Sequence, residues 1–253
     1  MKGRQEMISC RMEELGLSFM AAGLESFLSS QVQQEAPLVE AIGELIDLEL
    51  IPRKQRMART RLKVSGIPHD KTLQEFDLSW PKGGLTQKQF NELSTLAFIE
   101  RKENIVLLGP SGLGKTHLMT ALGQKACMNG YTAYYISCLD LLERLQRSRD
   151  QGKLKNKLTW FGKPHVLLID EVGYENLLPE QAALFFQLIN TRYEHGSIIL
   201  TSNKPFGKWG EIMADDAVAT ATLDRLLHHS HVISLKGDSY RMKDRMKIGV
   251  VDF

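Results

Sequence analysis

The segment Gly109-Pro110-Ser111-Gly112-Leu113-Gly114-Lys115-Thr116 fits the pattern G-x-x-x-x-G-K-[ST] and follows the apolar run Ile105-Val106-Leu107-Leu108 directly. Such a loop works only between a buried strand and a helix. Its glycines let successive backbone N–H groups curl around phosphates, its lysine adds a point charge, and its threonine hydroxyl can ligate Mg2+. The residues that follow, His117 to Asn129, supply the helix, with Leu118, Met119, Ala121, Leu122 and Ala126 at apolar positions. The expected ligand is a nucleoside triphosphate cradled by residues 109 to 117, with Lys115 on the phosphates and Thr116 on the metal.

From residue 86 onward, short apolar runs alternate with longer helical patterns. The spacing predicts strands at Asn104–Leu108, Thr132–Ser137, His165–Ile169, Ser197–Thr201 and His231–Leu235. Between them it predicts helices over Thr86–Arg101, His117–Asn129, Cys138–Gln146, Pro179–His195 and Ala217–His228. Strands that are apolar throughout, separated by helices, imply a parallel sheet covered on both faces, a three-layer α/β core. Residues 1 to 66 read as helical, from the spacing of Met12, Leu15, Phe19, Leu24, Phe27 and Leu28 and then of Leu38, Ile42, Leu45, Ile46 and Leu48, with Pro37 and Pro52 as punctuation. Turn-rich segments at 66–70 and 80–84 link the two parts. The expected division is a small helical N-terminal domain over 1–66 and a nucleotide-binding domain over 67–253.

A chain of 253 residues with 43% hydrophobic content can bury a full core. No apolar stretch reaches the roughly 20 residues needed to cross a bilayer, and the N-terminus lacks a secretory h-region, so a cytoplasmic protein with no membrane association is expected. Cys10, Cys127 and Cys138 stand far apart without metal-ligand spacing and read as reduced thiols.

Val166-Leu-Leu-Ile-Asp170-Glu171 is an apolar strand ending in two carboxylates. In a phosphate-loop ATPase the first would hold Mg2+ and the second would polarise the attacking water. The next strand ends at Asn203. Strand carboxyl ends line the ligand crevice of such sheets, so Asn203 reads as a hydrogen-bond partner for the γ-phosphate or the water; an ordinary turn asparagine is the other reading. Arg225 and Arg241 can each stabilise charge on a transferring phosphoryl group, but spacing alone does not separate them from surface charges. His228, His229 and His231 cluster at a helix end, where histidine suits the helix dipole. No Cys or carboxylate near them in the sequence completes a ligand set, so no metal other than Mg2+ is expected.

The blocks Gly109 to His117, Leu168-Ile-Asp-Glu-Val-Gly173, Arg192-Tyr-Glu-His-Gly-Ser-Ile-Ile-Leu-Thr-Ser-Asn-Lys204, Phe206-Gly-Lys-Trp209 and Leu223-Asp-Arg-Leu-Leu-His228 together resemble the IstB family of transposition helper ATPases, relatives of the helicase loader DnaC in the AAA+ superfamily. The Arg-Tyr-Glu-His-Gly and Thr-Ser-Asn-Lys blocks narrow the resemblance, which spans nearly the whole chain. It implies an AAA+ core and ATP with Mg2+ as ligands. It also implies Asn203 as sensor 1, Arg241 as sensor 2 and Arg225 as an arginine finger acting on ATP held by a neighbouring subunit of a homo-oligomer. The segment after Trp209 is short for a full AAA+ helical lid, so a shortened or absent lid is expected.

Net charge is only +2, so any nucleic-acid partner has to be argued from local clusters. There are two. One runs through Arg53, Lys54, Arg56 and Arg59, the other through Arg147, Arg149, Lys153, Lys155 and Lys157. Clustered Lys and Arg contact phosphates without reading bases, so sequence-nonspecific duplex DNA is the expected partner; a solvated helical face is the alternative for either run. With the resemblance, these features point to a DNA-dependent ATPase that assembles on duplex DNA and recruits or stimulates a cognate transposase. The alternative is a DnaC-like adaptor gripping a replicative helicase. A small-molecule kinase fits less well with the basic stretch and the Asp170-Glu171 pair.

Overall fold

The computed structural model describes residues 2–34, 37–68, 71–80, 83–237 and 239–240. The chain forms two compact units, Met1–Thr60 and Arg61–Phe253.

In the first unit α1 (Lys2–Glu14) and α2 (Ser18–Gln34) are joined by a tight turn, with Gly16 at φ +72°. α3 (Leu38–Ser65) follows, and the division between units falls inside it, upstream of the turn-rich segment. Pro52, expected to punctuate this region, lies within an unbroken α3. Its missing N–H costs one backbone hydrogen bond, and the helix continues on either side. The first turn of α2 leaves backbone N–H groups without helical partners. The buried Glu49 accepts two of them, from Phe19 and Met20, each at 2.9 Å. Arg53 Nε pairs with the same carboxylate at 2.6 Å, and its guanidinium also donates to the Gly16 carbonyl.

The second unit is built on five parallel strands: β1 (Asn104–Leu108), β2 (Ala133–Ser137), β3 (Val166–Val172), β4 (Ser197–Ser202) and β5 (Ser230–Ser234), in the order β2-β3-β4-β1-β5. One face packs α4 (Gln87–Ser94), α5 (Ala97–Glu100) and α6 (Lys115–Met128) against Ile105, Leu107, Leu168 and Ile199. The other face packs α7 (Cys138–Asp150), α8 (Leu154–Gly162), α9 (Pro179–Arg192), α10 (Trp209–Met213) and α11 (Asp216–Leu227) against Val106, Leu167, Ile169 and Leu200. Alternate residues of β1, β3 and β4 therefore serve opposite layers, which is why Ile105–Leu108, Val166–Ile169 and Ile198–Leu200 are apolar without interruption. The result is the expected three-layer α/β core.

Strand and helix ends shift by a few residues from those the sequence predicts, and two helical regions differ more deeply. The helix expected over 86–101 is broken at Leu96, which takes φ +66°. The basic run after β2 is helical too: it forms the end of α7 and, after a turn with Gly152 at φ +67°, the first turn of α8. Residues beyond Tyr240, and with them Arg241, lie outside the described residues, and between Trp209 and Tyr240 the described helices are α10 and α11. No described helix is long and apolar enough to cross a membrane.

The Arg-Tyr-Glu-His-Gly-Ser block has a packing role. Arg192, at the end of α9, is 1% exposed and donates to the carbonyls of Phe161, Pro164, His165 and Ser197 at 2.8–3.3 Å. Burial pulls its guanidinium down to about 10, so it stays charged at neutral pH. Gly196 leaves it room, since a Cβ there would come within 2.6 Å of Arg192 Nη2. Arg192→Leu strands these carbonyls in the core and is expected to cost about 3–5 kcal/mol, read as a lowered urea midpoint.

Candidate functional site

The parallel order sets the carboxyl ends of β1, β3 and β4 side by side, with Leu108 level with Ser202 across β1 and β4. Functional side chains at those three ends therefore share one crevice. The loop Gly109–Gly114 leaves β1 and enters α6 through Gly114, whose φ of +84° a side chain would strain. Gly109 is equally constrained, because a Cβ there would approach the Leu235 carbonyl oxygen to 2.3 Å. Leu113 turns its side chain into the core, leaving its backbone to the loop. Lys115 is buried, and its Nζ donates to the carbonyls of Gly109 and Pro110 at 2.6 and 2.7 Å. Its charge is held inside the loop it is meant to serve.

Asp170 is buried at the end of β3 and receives three hydroxyls. Thr116 donates at 3.1 Å and Thr201 also donates to Oδ1, while Tyr135 donates to Oδ2 at 2.9 Å. Burial, then the Asp170 charge, raises the Tyr135 pKa, which keeps that phenol a donor. Glu171 is exposed at φ +63°, a costly conformation for a residue with a Cβ, and the β3–β4 register slips between Ile169 and Val172. This kink turns two consecutive carboxylates to different tasks, one inward to the threonines and one outward into the cavity. The Glu171 N–H donates to the same Thr201 hydroxyl at 2.9 Å, so one side chain holds both acids.

The cavity over the loop is lined by Ser111 to His117, Glu171, Thr201 and Asn203. Asn203 Oδ1 is buried without a hydrogen-bond partner among the described residues, an uncommon and costly state that a ligand or water would relieve. His117 lies at the rim, where its Nε2 donates to the Thr72 carbonyl at 2.8 Å. The loop amides, Lys115 and Asn203 suit a polyphosphate, and the Thr116 hydroxyl with the Asp170 carboxylate is a hard-oxygen pair that suits Mg2+. Both ligands fit the residues present. Tyr135→Phe removes one support of Asp170 and is expected to weaken Mg2+-dependent nucleotide binding about tenfold, read by calorimetry, with the fold unchanged by circular dichroism.

The same cavity has walls that the sequence does not announce. Lys71, Glu75, Phe76, Asp77 and Trp80 come from the segment before α4, Tyr174 follows β3, and Tyr240 follows β5. Phe76 meets the His117 ring edge-on at 5.4 Å, and Trp80 meets Tyr240 at 5.3 Å. The signal available was the pair of aromatics inside a turn-rich stretch.

Arg225, on α11, is not among the residues lining this cavity; its guanidinium lies 4.7 Å over the Phe186 ring and donates to Ala221 O at 3.3 Å. The basic residues divide by what they touch. Arg53 is held by Glu49, whereas Lys54, Arg56 and Arg59 are exposed on α3. Arg149 pairs with Glu180, and Lys157 lies 4.8 Å over the Trp160 ring. Arg147, Lys153 and Lys155 are exposed.

Comparison with known proteins agrees with this geometry. The family model of the IstB-like ATP binding protein matches residues 10–248. The protein named for ATP binding in insertion sequence IS5376 of Geobacillus stearothermophilus is 48% identical over 206 residues, which is 81% of this chain and 82% of the relative. The AMPPCP-bound DnaA of Aquifex aeolicus superposes with a TM-score of 0.56 at 22% identity, over 74% of this chain and 58% of that one. The DnaC helicase loader superposes with a TM-score of 0.54 at 21% identity, over 66% of this chain and 98% of that one. At those identities the two structures establish the fold alone, a parallel sheet between two layers of helices.

Proposed function

The chain belongs to the family of IstB-like ATP binding proteins, and from that premise we propose that it is an ATPase of insertion-sequence transposition that assembles on duplex DNA in its ATP-bound form and recruits or stimulates the cognate transposase. The observation that carries the hydrolytic part is the convergence of Lys115, Thr116, Glu171 and Asn203 on one cavity, with Asp170 tied to Thr116 behind it.

In this reading Lys115 exchanges its two loop carbonyls for phosphate oxygens as the loop amides close on the polyphosphate. Phe76, Trp80 and Tyr240 flank the base. Thr116 and Asp170 would hold Mg2+, which would supply neutralisation of phosphate charge. Glu171 takes the proton of the attacking water, and Asn203 orients that water or the γ-phosphate through its amide. Arg225 reaches the ATP of a neighbouring copy, in keeping with its position away from its own cavity.

The name of the insertion-sequence relative favours transposition over helicase loading, since the likeness to DnaC rests on fold alone. For DNA, the exposed Arg147, Lys153 and Lys155 are the contacts we favour. Changing all three to Glu is expected to weaken duplex binding at every sequence tested and to lower the salt slope by about one for each phosphate no longer neutralised. Unaltered affinity and slope would remove this surface from the account. Capture of the cognate transposase, and not of a hexameric helicase, by the ATP-bound protein on duplex DNA tests the choice of partner; the reverse capture would sink it.

A further inference from the structure

The sequence around the histidines at the end of α11 does not show which carboxylate could join them, but the fold brings one to them. Glu194 sits in the turn between α9 and β4. One of its carboxylate oxygens and one ring nitrogen from each of His228 and His229 lie within 4.8 Å of one another. Ligand atoms about 2.0–2.2 Å from a tetrahedral ion are themselves roughly 3.3–3.6 Å apart, so small side-chain rotations bring this set onto a single ion. His231 belongs elsewhere, with its Nε2 on Glu103 at 2.9 Å.

Three features describe the setting of the group, and one of them is an orienting contact. His228, at the C-cap of α11, has its Nδ1 2.9 Å from the Tyr193 hydroxyl, the kind of outer contact that fixes the plane of a ligating imidazole. The rings of His228 and His229 stand 4.1 Å apart. Glu194 takes φ +59°, a conformation that a residue with a Cβ adopts at a cost. All three side chains are exposed, so an ion can reach them without any opening of the fold.

Two imidazoles and one carboxylate make a donor set for borderline divalent cations and a poor one for Mg2+ or Ca2+, which prefer oxygen throughout. We propose that Glu194, His228 and His229 form a surface site for a zinc-class divalent cation, distinct from the place of Mg2+ at Thr116 and Asp170. Three protein ligands leave the fourth tetrahedral position to water. A bound ion would join the end of α11 to the turn after α9, two elements already linked through Tyr193 and His228.

The test is a titration of the full-length, chelator-stripped protein with Zn2+ in the absence of nucleotide, followed by calorimetry, with Co2+ as a spectroscopic substitute. The expected result is one equivalent of Zn2+ per chain and visible Co2+ absorption bands of a low-coordinate site. His229→Gln and Glu194→Gln each weaken Zn2+ binding at least tenfold, while His231→Gln and Cys10→Ser, which removes the exposed thiol, leave it unchanged. Circular dichroism confirms that each variant is folded. Absence of stoichiometric uptake by the wild type, or wild-type affinity in either His229→Gln or Glu194→Gln, overturns the proposal.

Discussion

Glu171→Gln is expected to lower ATP turnover by about 10²–10⁴-fold while leaving ATP affinity within a small factor of the wild type. The asymmetry follows from where the two carboxylates point. Asp170 is buried under three hydroxyls, Thr116, Thr201 and Tyr135, and is part of the scaffold. Glu171 is turned out into the cavity by its left-handed backbone and by the register slip beside it, and its backbone N–H is anchored on Thr201. Glutamine keeps the side-chain shape, the anchor and the conformation but cannot accept the proton of the attacking water. Single-turnover phosphate release checks the rate and calorimetry checks the affinity. A variant that hydrolyses ATP at the wild-type rate would reassign the general base.

The second large effect concerns Arg225. Arg225→Ala is expected to reduce kcat by about 10³–10⁵-fold, the range for an arginine finger, with ATP binding retained. The residue does not line the cavity of its own chain, so wild-type turnover per subunit should rise with protein concentration as copies associate. Complementation tests the geometry further. Mixing Arg225→Ala with Glu171→Gln pairs an intact cavity from one chain with an intact arginine from the other at a fraction of interfaces. Partial recovery of activity is the expected outcome; a mixture as inactive as its parts, or a wild-type rate independent of concentration, would remove the model in which Arg225 acts on a neighbouring copy. Thermal unfolding of Arg225→Ala guards against a trivial loss, since this side chain also packs on Phe186.

How far the sequence discloses this molecule depends on how local each feature is. The strand, phosphate loop and helix are one contiguous stretch whose residue types have few other uses, and the apolar runs that make a buried parallel sheet need no long-range information. Asp170 and Glu171 are legible for the same reason, though the opposite directions they take come from a backbone kink that the letters do not announce. The aromatic wall is another matter: Phe76, Trp80 and Tyr240 come from segments on either side of the core, in stretches whose turn residues mask them. Tyr135 hides in a strand, where an aromatic residue is ordinary until its hydroxyl is seen to reach the Asp170 carboxylate on β3. Charge is least legible of all, because Arg53, Arg149 and Lys157 look like their exposed neighbours until Glu49, Glu180 and Trp160 are seen to claim them. Pro52 marks the limit of local rules, as the helix around it supplies enough bonds to absorb one missing donor.

The central claim is that the cavity between β1, β3 and β4 holds ATP through Lys115 and its loop. Its most direct measurement is calorimetric titration of ATP with Mg2+ into Glu171→Gln protein, where binding is seen without turnover. Saturable heat with one site per chain, lost in the matched Lys115→Ala variant, is the predicted result; no heat from either Glu171→Gln or the wild type, or equal heat from the Lys115→Ala variant, would contradict it.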